Sequence, residues 1–309
     1  MNKQTISVVI PCYGSEKTIE SVVLDTIITL KERNNEFEII LVNDCSYDNV
    51  WNKIKELHKK YSNIIGINFT KNFGQHAALM AGYREAKGDV VVSLDDDGQT
   101  DPKELWKLID KLNEGYDIVL AKYPVLKESL FRRFGSLINK KMSEVLVNKP
   151  KNVRGSSYTA IRRYVIEDII KYEKPYPYLA GLMYRVTQNV SEVEVEHYSR
   201  KVGKSGYSIK KLVSLIMNGF TAFSVKPLRV ATYVGFLTAI VGFIYGIVII
   251  VKKLTNIIFE SGYSSIMATL LFIGGIIMIL LGLIGEYIGR IYISINNSPQ
   301  YVIKEKVNK

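Results

Sequence analysis

The chain has 309 residues, 47% of them hydrophobic, a composition that excludes a disordered or collagen-like polymer. Forty-one Lys and Arg against 30 Asp and Glu leave a formal charge of +11, which admits nucleic acid, anionic lipid or phosphorylated compounds as partners. Two cysteines, Cys12 and Cys45, are too few to staple a secreted scaffold and have no zinc-site spacing, so a reducing compartment is expected.

In chain order, the first apolar run is ISVVIP at 6–11. It is too short for a signal peptide, so the N-terminal part is expected to stay in the cytoplasm. Runs at 38–42, 64–69, 89–94 and 117–121 follow, all short and rich in β-branched residues. Segments of helical period lie between them at 17–33, 50–60, 75–86 and 102–113. This alternation predicts an α/β fold, a Rossmann-like and mostly parallel sheet covered on both faces. Ligands of such sheets bind beyond the carboxyl ends of the strands.

The loops at those ends read CYGSEKT, NDCSYD, TKNFGQH and DDDGQTD. None contains G-x-G-x-x-G or G-x-x-x-x-G-K-[ST], so the dinucleotide-dehydrogenase and P-loop classes lose their fingerprints. Instead the loops bring Glu16, Asp44, Asp48, Asp95, Asp96, Asp97 and Asp101 to one edge. Such a crowd of carboxylates repels a phosphate unless a divalent cation intervenes, and hard oxygen donors suit Mg²⁺ or Mn²⁺. In an extended 95–97 segment Asp95 and Asp97 point one way and Asp96 the other, which makes the first and third the useful pair. His58, His76 and His197 form no evident nucleophile-base pair with a Ser or Cys and read as surface or helix-capping residues.

Between 199 and 229 stand seven basic residues, Arg200, Lys201, Lys204, Lys210, Lys211, Lys226 and Arg229, and no acidic one. Residues 207–224 set apolar positions at helical spacing beside Lys210 and Lys211, so 207–227 is expected to lie in the headgroup plane. Residues 230–251 and 266–284 carry no charge. Each is long enough to cross roughly 30 Å of hydrocarbon at about 1.5 Å per residue, predicting a membrane hairpin with spans at 230–251 and 266–288. Gly242 with Gly246, and Gly285 with Gly289, let helix backbones approach. Arg290, Lys304, Lys306 and Lys309 follow the second span, whereas the connection holds only Lys252, Lys253 and Glu260. The positive-inside rule then places both termini in the cytoplasm. The expected organisation is a catalytic domain at 1–206, an interfacial segment at 207–227, and a hairpin with a short tail at 228–309.

Seven stretches, SVVIPCYGSEKTI, ILVNDCSYDN, KNFGQHAALMAGYREAKGD, VVSLDDDGQTDPKEL, RKVGKSGYSIKKL, FSVKPLR and GEYIGRIY, together carry a resemblance over nearly the whole chain. The chain resembles the family 2 glycosyltransferases of GT-A fold, and among them the polyisoprenyl-phosphate glycosyltransferases. That group includes dolichol-phosphate mannose synthase and the bacterial undecaprenyl-phosphate glucosyl and aminoarabinose transferases. The resemblance implies inverting transfer of a sugar from a nucleotide-diphosphate sugar, expected to be UDP-linked, to a polyisoprenyl phosphate such as undecaprenyl phosphate. The implied setting is the cytoplasmic face of a bacterial inner membrane, in cell-envelope biosynthesis, and a homo-oligomer is compatible with it. By the same resemblance Pro11, Tyr13, Glu16, Asp44 and Asp95 would hold the base and ribose. Asp97 and Gln99 would bind the Mg²⁺ or Mn²⁺ that bridges the diphosphate. Lys122, Arg132 and Ser136 would meet the acceptor phosphate, and Arg200 the leaving diphosphate, so that Asp95, Asp97 and Arg200 form the catalytic set. Some positions depart from the family pattern: Asn43 stands for a common Asp, Gly14 and Cys45 for Asn and Gly, and Asp96 for a small residue. Ser156 occupies a position that is often Asp in glucosyl-type relatives, an acid that aminoarabinose-type relatives also lack.

A phosphate monoester has a second pKa of about 6 and is largely dianionic near neutrality, so such a nucleophile needs little general base. Two other classes stay open. A processive polysaccharide synthase would carry Q-x-x-R-W, yet no Arg-Trp dipeptide occurs and Trp51 and Trp106 are the only tryptophans. A non-catalytic membrane scaffold that binds nucleotide sugar is opposed by the intact D-x-D-x-Q. Nucleic acid is not expected as a partner, because the positive charge gathers at 122–174 and before the spans without aromatic stacking modules.

Overall fold

The structure, a computed structural model, describes residues 4–123, 144, 149–151, 153–196, 226–255, 262–296 and 298–308. The chain divides into two compact units, Met1–Val213 with Asn297–Lys309, and Ser214–Asn296.

The first unit is built on β1 (Ile6–Cys12), β2 (Phe37–Asn43), β3 (Ile64–Phe69), β4 (Val90–Ser93), β5 (Ile118–Lys122), β6 (Thr159–Arg162), β7 (Val190–Glu194) and β8 (Ile303–Val307), in the sheet order β7-β5-β6-β4-β1-β2-β3-β8. The centre, β3-β2-β1-β4, is parallel, as expected from its strand-helix alternation. β5 does not continue it directly: β6 inserts between β4 and β5 and pairs antiparallel with both, which leaves β5 parallel to β4 at one remove. Every residue of β1 is buried, as a strand covered on both faces requires. Pro11 is tolerated there because Val9 faces β4 and Cys12 faces β2, shown by Leu94 N–H donating to Val9 O at 3.1 Å and Asp44 N–H to Cys12 O at 3.1 Å. By alternation Pro11 faces β4, whose ladder with β1 ends at Val9, so its missing N–H costs no bond.

Helices α1 (Ile19–Glu32), α2 (Val50–Lys60) and α4 (Leu105–Asn113) cover one face, their Val22, Leu30, Ile54, Leu57, Leu108 and Leu112 closing on Ile6, Val8, Ile10 and Val92. A 3₁₀ turn at Pro102–Glu104 precedes α4. The other face carries α3 (Gln75–Glu85), which crosses β1 so closely that a Cβ at Gly82 would stand 2.2 Å from Val9 Cγ1. Only glycine permits that approach. Beside α3 lies α5 (Arg163–Ile169), whose Arg163 Nη1 donates to Ala86 O, and Arg84 Nη2 on α3 donates to Tyr172 O in the connection from α5 to α6 (Leu179–Val186).

The C-terminal residues differ from the sequence expectation. The tail read as a short extension of the hairpin returns to the first unit as β8, antiparallel to the edge strand β3. Trp51 Nε1 donates to Glu305 Oε2 at 2.8 Å and Lys306 Nζ to Glu85 Oε2 at 2.6 Å. IKEKV sets three consecutive charged residues between Ile303 and Val307, so it gives almost no hydropathic signal while blunting an exposed sheet edge.

The second unit holds α7 (Lys226–Leu254) and α8 (Tyr263–Ile295), which contact each other. Among the described residues one helix, Phe272–Ile295, is long and apolar enough to cross a membrane, and Ala231–Tyr245 is a shorter apolar stretch of α7. Phe236, Leu237, Phe243, Phe272, Met278 and Ile279 are all exposed, an apolar surface that water alone does not favour.

Candidate active site

The loops beyond β1, β2, β3 and β4 form one cross-linked edge. After β1, Tyr13 N–H donates to Asp96 Oδ2 at 2.9 Å, Gly14 N–H to Ser46 Oγ at 2.7 Å and Glu16 N–H to Asp48 Oδ2 at 2.8 Å. Thr18 Oγ1 donates to the Asp96 carbonyl at 2.6 Å. Glu16 Oε2 accepts from Asn49 N–H at 3.2 Å, and Asp48 Oδ1 accepts from the Ser46 hydroxyl at 2.5 Å. Glu16 and Asp48 thus sit at the amino end of α2, where unpaired N–H groups favour negative charge. Tyr13 and Tyr47 are exposed and meet edge to face, ring centres 5.7 Å apart.

Asp44, buried at the end of β2, organises the third loop. Its two oxygens accept from Phe73 N–H at 2.6 Å and Gly74 N–H at 2.8 Å. Burial raises its carboxyl pKa, and the same two amides offset only part of that rise. Asn43 fills the neighbouring position with a neutral bond, Nδ2 donating to Asn68 Oδ1 at 2.8 Å, which suits a buried place better than a second acid.

The β4 end holds the three aspartates. Asp95 accepts from Gln75 Nε2 at 2.9 Å and from the Ser157 hydroxyl. Ser157 is brought there by register: β4 and β6 pair Ser93 with Thr159, and two residues further on Asp95 comes opposite Ser157. Asp96 turns the other way, onto Tyr13 N–H, so the predicted alternation of Asp95 and Asp96 is visible in their partners. Burial pushes the Asp96 carboxyl up to about 6. Gly98 has φ +68, a conformation that lets Gln99 N–H return to Asp97 Oδ1 at 3.0 Å.

Lys122, at the end of β5 on the same edge, donates from Nζ to Glu194 Oε1 at 2.6 Å, and the lysine holds that carboxyl below its ordinary range. The pair is solvent-exposed, hence weak and exchangeable. Pro11 lies inside β1, one step behind the loop. Arg132, Ser136 and Arg200 lie outside the described residues, as does nearly all of 207–227.

Among the described residues no three His, Cys, Asp or Glu side chains form a metal cage. Asp97 and Gln99 nevertheless fit a hard cation. They offer oxygen donors on one turn without enclosing a site, the arrangement expected where substrate phosphates complete the coordination of Mg²⁺ or Mn²⁺. Sequence reasoning missed Gln75, Ser46 and Ser157. The first two stand in motifs already singled out, whereas Ser157 required the β4–β6 register.

An α/β sheet with an acidic carboxyl edge and a hard-donor turn is compatible with the GT-A fold. The profile described as "Glycosyl transferase family 2" matches residues 7–170, and the one described as "GtrB C-terminal hairpin" matches residues 226–291. The chain belongs to glycosyltransferase family 2 and is a glycosyltransferase. It is 33% identical over 305 residues to the undecaprenyl-phosphate 4-deoxy-4-formamido-L-arabinose transferase of Proteus mirabilis (strain HI4320), covering 98% of this chain and 94% of that protein. The enzyme of the same name from Photorhabdus laumondii is 32% identical over 305 residues, with the same coverage. Among solved structures, glucosyl-3-phosphoglycerate synthase from Mycobacterium tuberculosis, in complex with Mn²⁺, UDP and phosphoglyceric acid, superposes with a TM-score of 0.53 at 19% identity, covering 71% of this chain and 76% of that one. That likeness confirms the GT-A fold.

Proposed function

We propose that the chain transfers a sugar from a UDP-linked donor to undecaprenyl phosphate, with inversion at the anomeric carbon. The observation that carries this reading is the pairing at the end of β4: Asp95 is fixed by Gln75 and Ser157, two residues before the hard-donor turn Asp97-Gly98-Gln99. The full-length relatives act, by name, on undecaprenyl phosphate, which supports the lipid acceptor.

In this reading Tyr13, Glu16, Asp44 and Asp95 hold the nucleoside, the exposed ring of Tyr13 offering a face for the base. Asp97 and Gln99 hold Mg²⁺ or Mn²⁺, which when bound neutralises charge on the departing diphosphate. Arg200 adds donors to that leaving group, and Lys122, Arg132 and Ser136 orient the acceptor phosphate. For Lys122 this means exchanging Glu194 for the phosphate. The acceptor's dianionic phosphate attacks without a general base, its own charge supplying the nucleophile.

Both apolar helices then span a bacterial inner membrane, with the catalytic domain and both termini cytoplasmic. Support comes from connectivity: the chain leaves the first unit before α7 and rejoins its sheet as β8 after α8, which requires an even number of crossings. The test is incubation of purified protein with undecaprenyl phosphate, Mg²⁺ and a panel of nucleotide sugars, reading lipid products by mass spectrometry. A glycosyl phospholipid from one UDP-sugar is expected. No lipid product from any donor would overturn the reading. Ser156, in place of the acid common in glucosyl-type relatives, favours a 4-amino-4-deoxyarabinose-type donor over UDP-glucose.

A further inference from the structure

We infer that the C-terminal segment 300–307 is a positioning element of the donor site, so that nucleotide binding and docking of this tail are coupled. The inference rests on the reading of the acidic edge as the nucleotide site. The contacts run beyond β8 itself. The β3–β8 register shifts between Asn68 and Phe69, and past that irregularity Thr70 N–H donates to Val302 O at 3.0 Å, carrying the pairing into the loop that follows β3. Tyr301 stacks on Phe69 with ring centres 5.1 Å apart and planes 10° from parallel. Phe69 in turn meets Phe73 edge to face at 5.7 Å. Phe73 and Gly74 are the residues whose N–H groups clamp Asp44. A contiguous line therefore leads from the tail to a nucleoside-binding carboxylate: Tyr301, Phe69, Phe73, Asp44.

A second tie holds the same residues from the side. Gln300 is buried, its Nε2 donating to Tyr172 O at 3.2 Å and Lys174 O at 2.9 Å. Arg84 Nη1 donates to Gln300 Oε1 at 2.8 Å and to the Tyr301 hydroxyl at 3.0 Å. Arg84 sits on α3, whose first residue, Gln75, bonds Asp95. The tail thus braces both the 70–74 loop and the helix that starts from it. An edge strand rich in Lys and Glu has no need of a buried glutamine and an aromatic stack merely to blunt a sheet edge. These contacts have the form of an anchor for the loop. Anchoring matters because a loop ordered before the donor arrives does not charge its ordering entropy to binding.

The experiment compares full-length wild type, Tyr301→Ala and Tyr301→Phe in detergent, using UDP with Mn²⁺ as the probe in calorimetry and following amide hydrogen exchange. Tyr301→Ala is expected to weaken UDP by at least about fivefold, the lower end of ordinary coupling between sites, and to raise donor KM with little change in acceptor KM. Exchange at 70–74 rises in this variant before any ligand is added. Tyr301→Phe keeps the stack and restores UDP affinity. In wild type, UDP slows exchange in 70–74 and in 300–307 together, a readout that does not depend on any variant folding. Unchanged UDP affinity and exchange in Tyr301→Ala, or protection of 70–74 without 300–307 in wild type, would overturn the tail's role and leave the donor site standing. Failure of wild type to bind UDP would remove the donor-site reading and the coupling with it.

Discussion

The Ser157 hydroxyl donates to the Asp95 carboxylate across the antiparallel junction of β4 and β6. It thereby joins the segment 155–158 to the acidic turn. Because a hydrogen bond to a charged group is worth about 1.5–3 kcal/mol, Ser157→Ala is expected to lower kcat/KM for the donor by roughly ten- to a hundredfold. Thermal stability should fall by less than that amount, since Ser157 is only partly buried and water replaces part of the lost bond. Steady-state kinetics on the purified variant check this, and an unchanged kcat/KM would detach Ser157 from the site.

Asp97→Ala should abolish transfer while leaving the chain folded and in the membrane fraction. Asp97 sits on a surface turn and makes no contribution to the core between the helices and the sheet. Wild-type turnover of Asp97→Ala with Mn²⁺ present would end the metal role assigned to it.

Arg132→Ala is expected to raise KM for undecaprenyl phosphate by about tenfold or more, on the scale of one charge-assisted phosphate contact, with donor KM nearly unchanged. Separate titrations of donor and acceptor distinguish the two. Equal losses in both would show that Arg132 does not serve the acceptor.

Much of this was legible from residue pattern alone. The five strands read from β-branched runs lie within a residue or two of β1 to β5, because buried parallel strands are continuous in hydrophobicity. The helix read as 102–113 begins instead with a 3₁₀ turn, since Pro102 and the Asp101 side chain, which accepts from Lys103 N–H, close a tighter first turn. What stayed hidden depends on contacts distant in sequence. β6 and β7 are short and partly polar, β8 is mostly charged, and all three become strands through their partners. His76, read as a surface or capping residue, instead sits in the first turn of α3 with its Nδ1 buried and its ring edge-on to Tyr178 at 5.9 Å.

That burial gives His76 a pH signature. Desolvation lowers its pKa below the ordinary 6.5, so below that value the unfolded chain binds a proton that the folded chain resists. Its contribution is complete above pH 6.5 and is lost as the pH falls from 6.5 toward the lowered value. Wild-type melting temperature should therefore drop between pH 6.5 and 5, with a shallower drop in His76→Gln. Parallel curves for the two proteins would contradict the assignment.

The central claim is that Asp97 and Gln99 would hold a divalent cation, whose charge would be needed to neutralise the leaving diphosphate. Its most direct test is the rate of glycolipid formation by chelator-stripped enzyme, measured before and after adding back Mg²⁺ or Mn²⁺. The account predicts a rate near zero that either ion restores. Full-speed glycolipid formation in the stripped enzyme would contradict it.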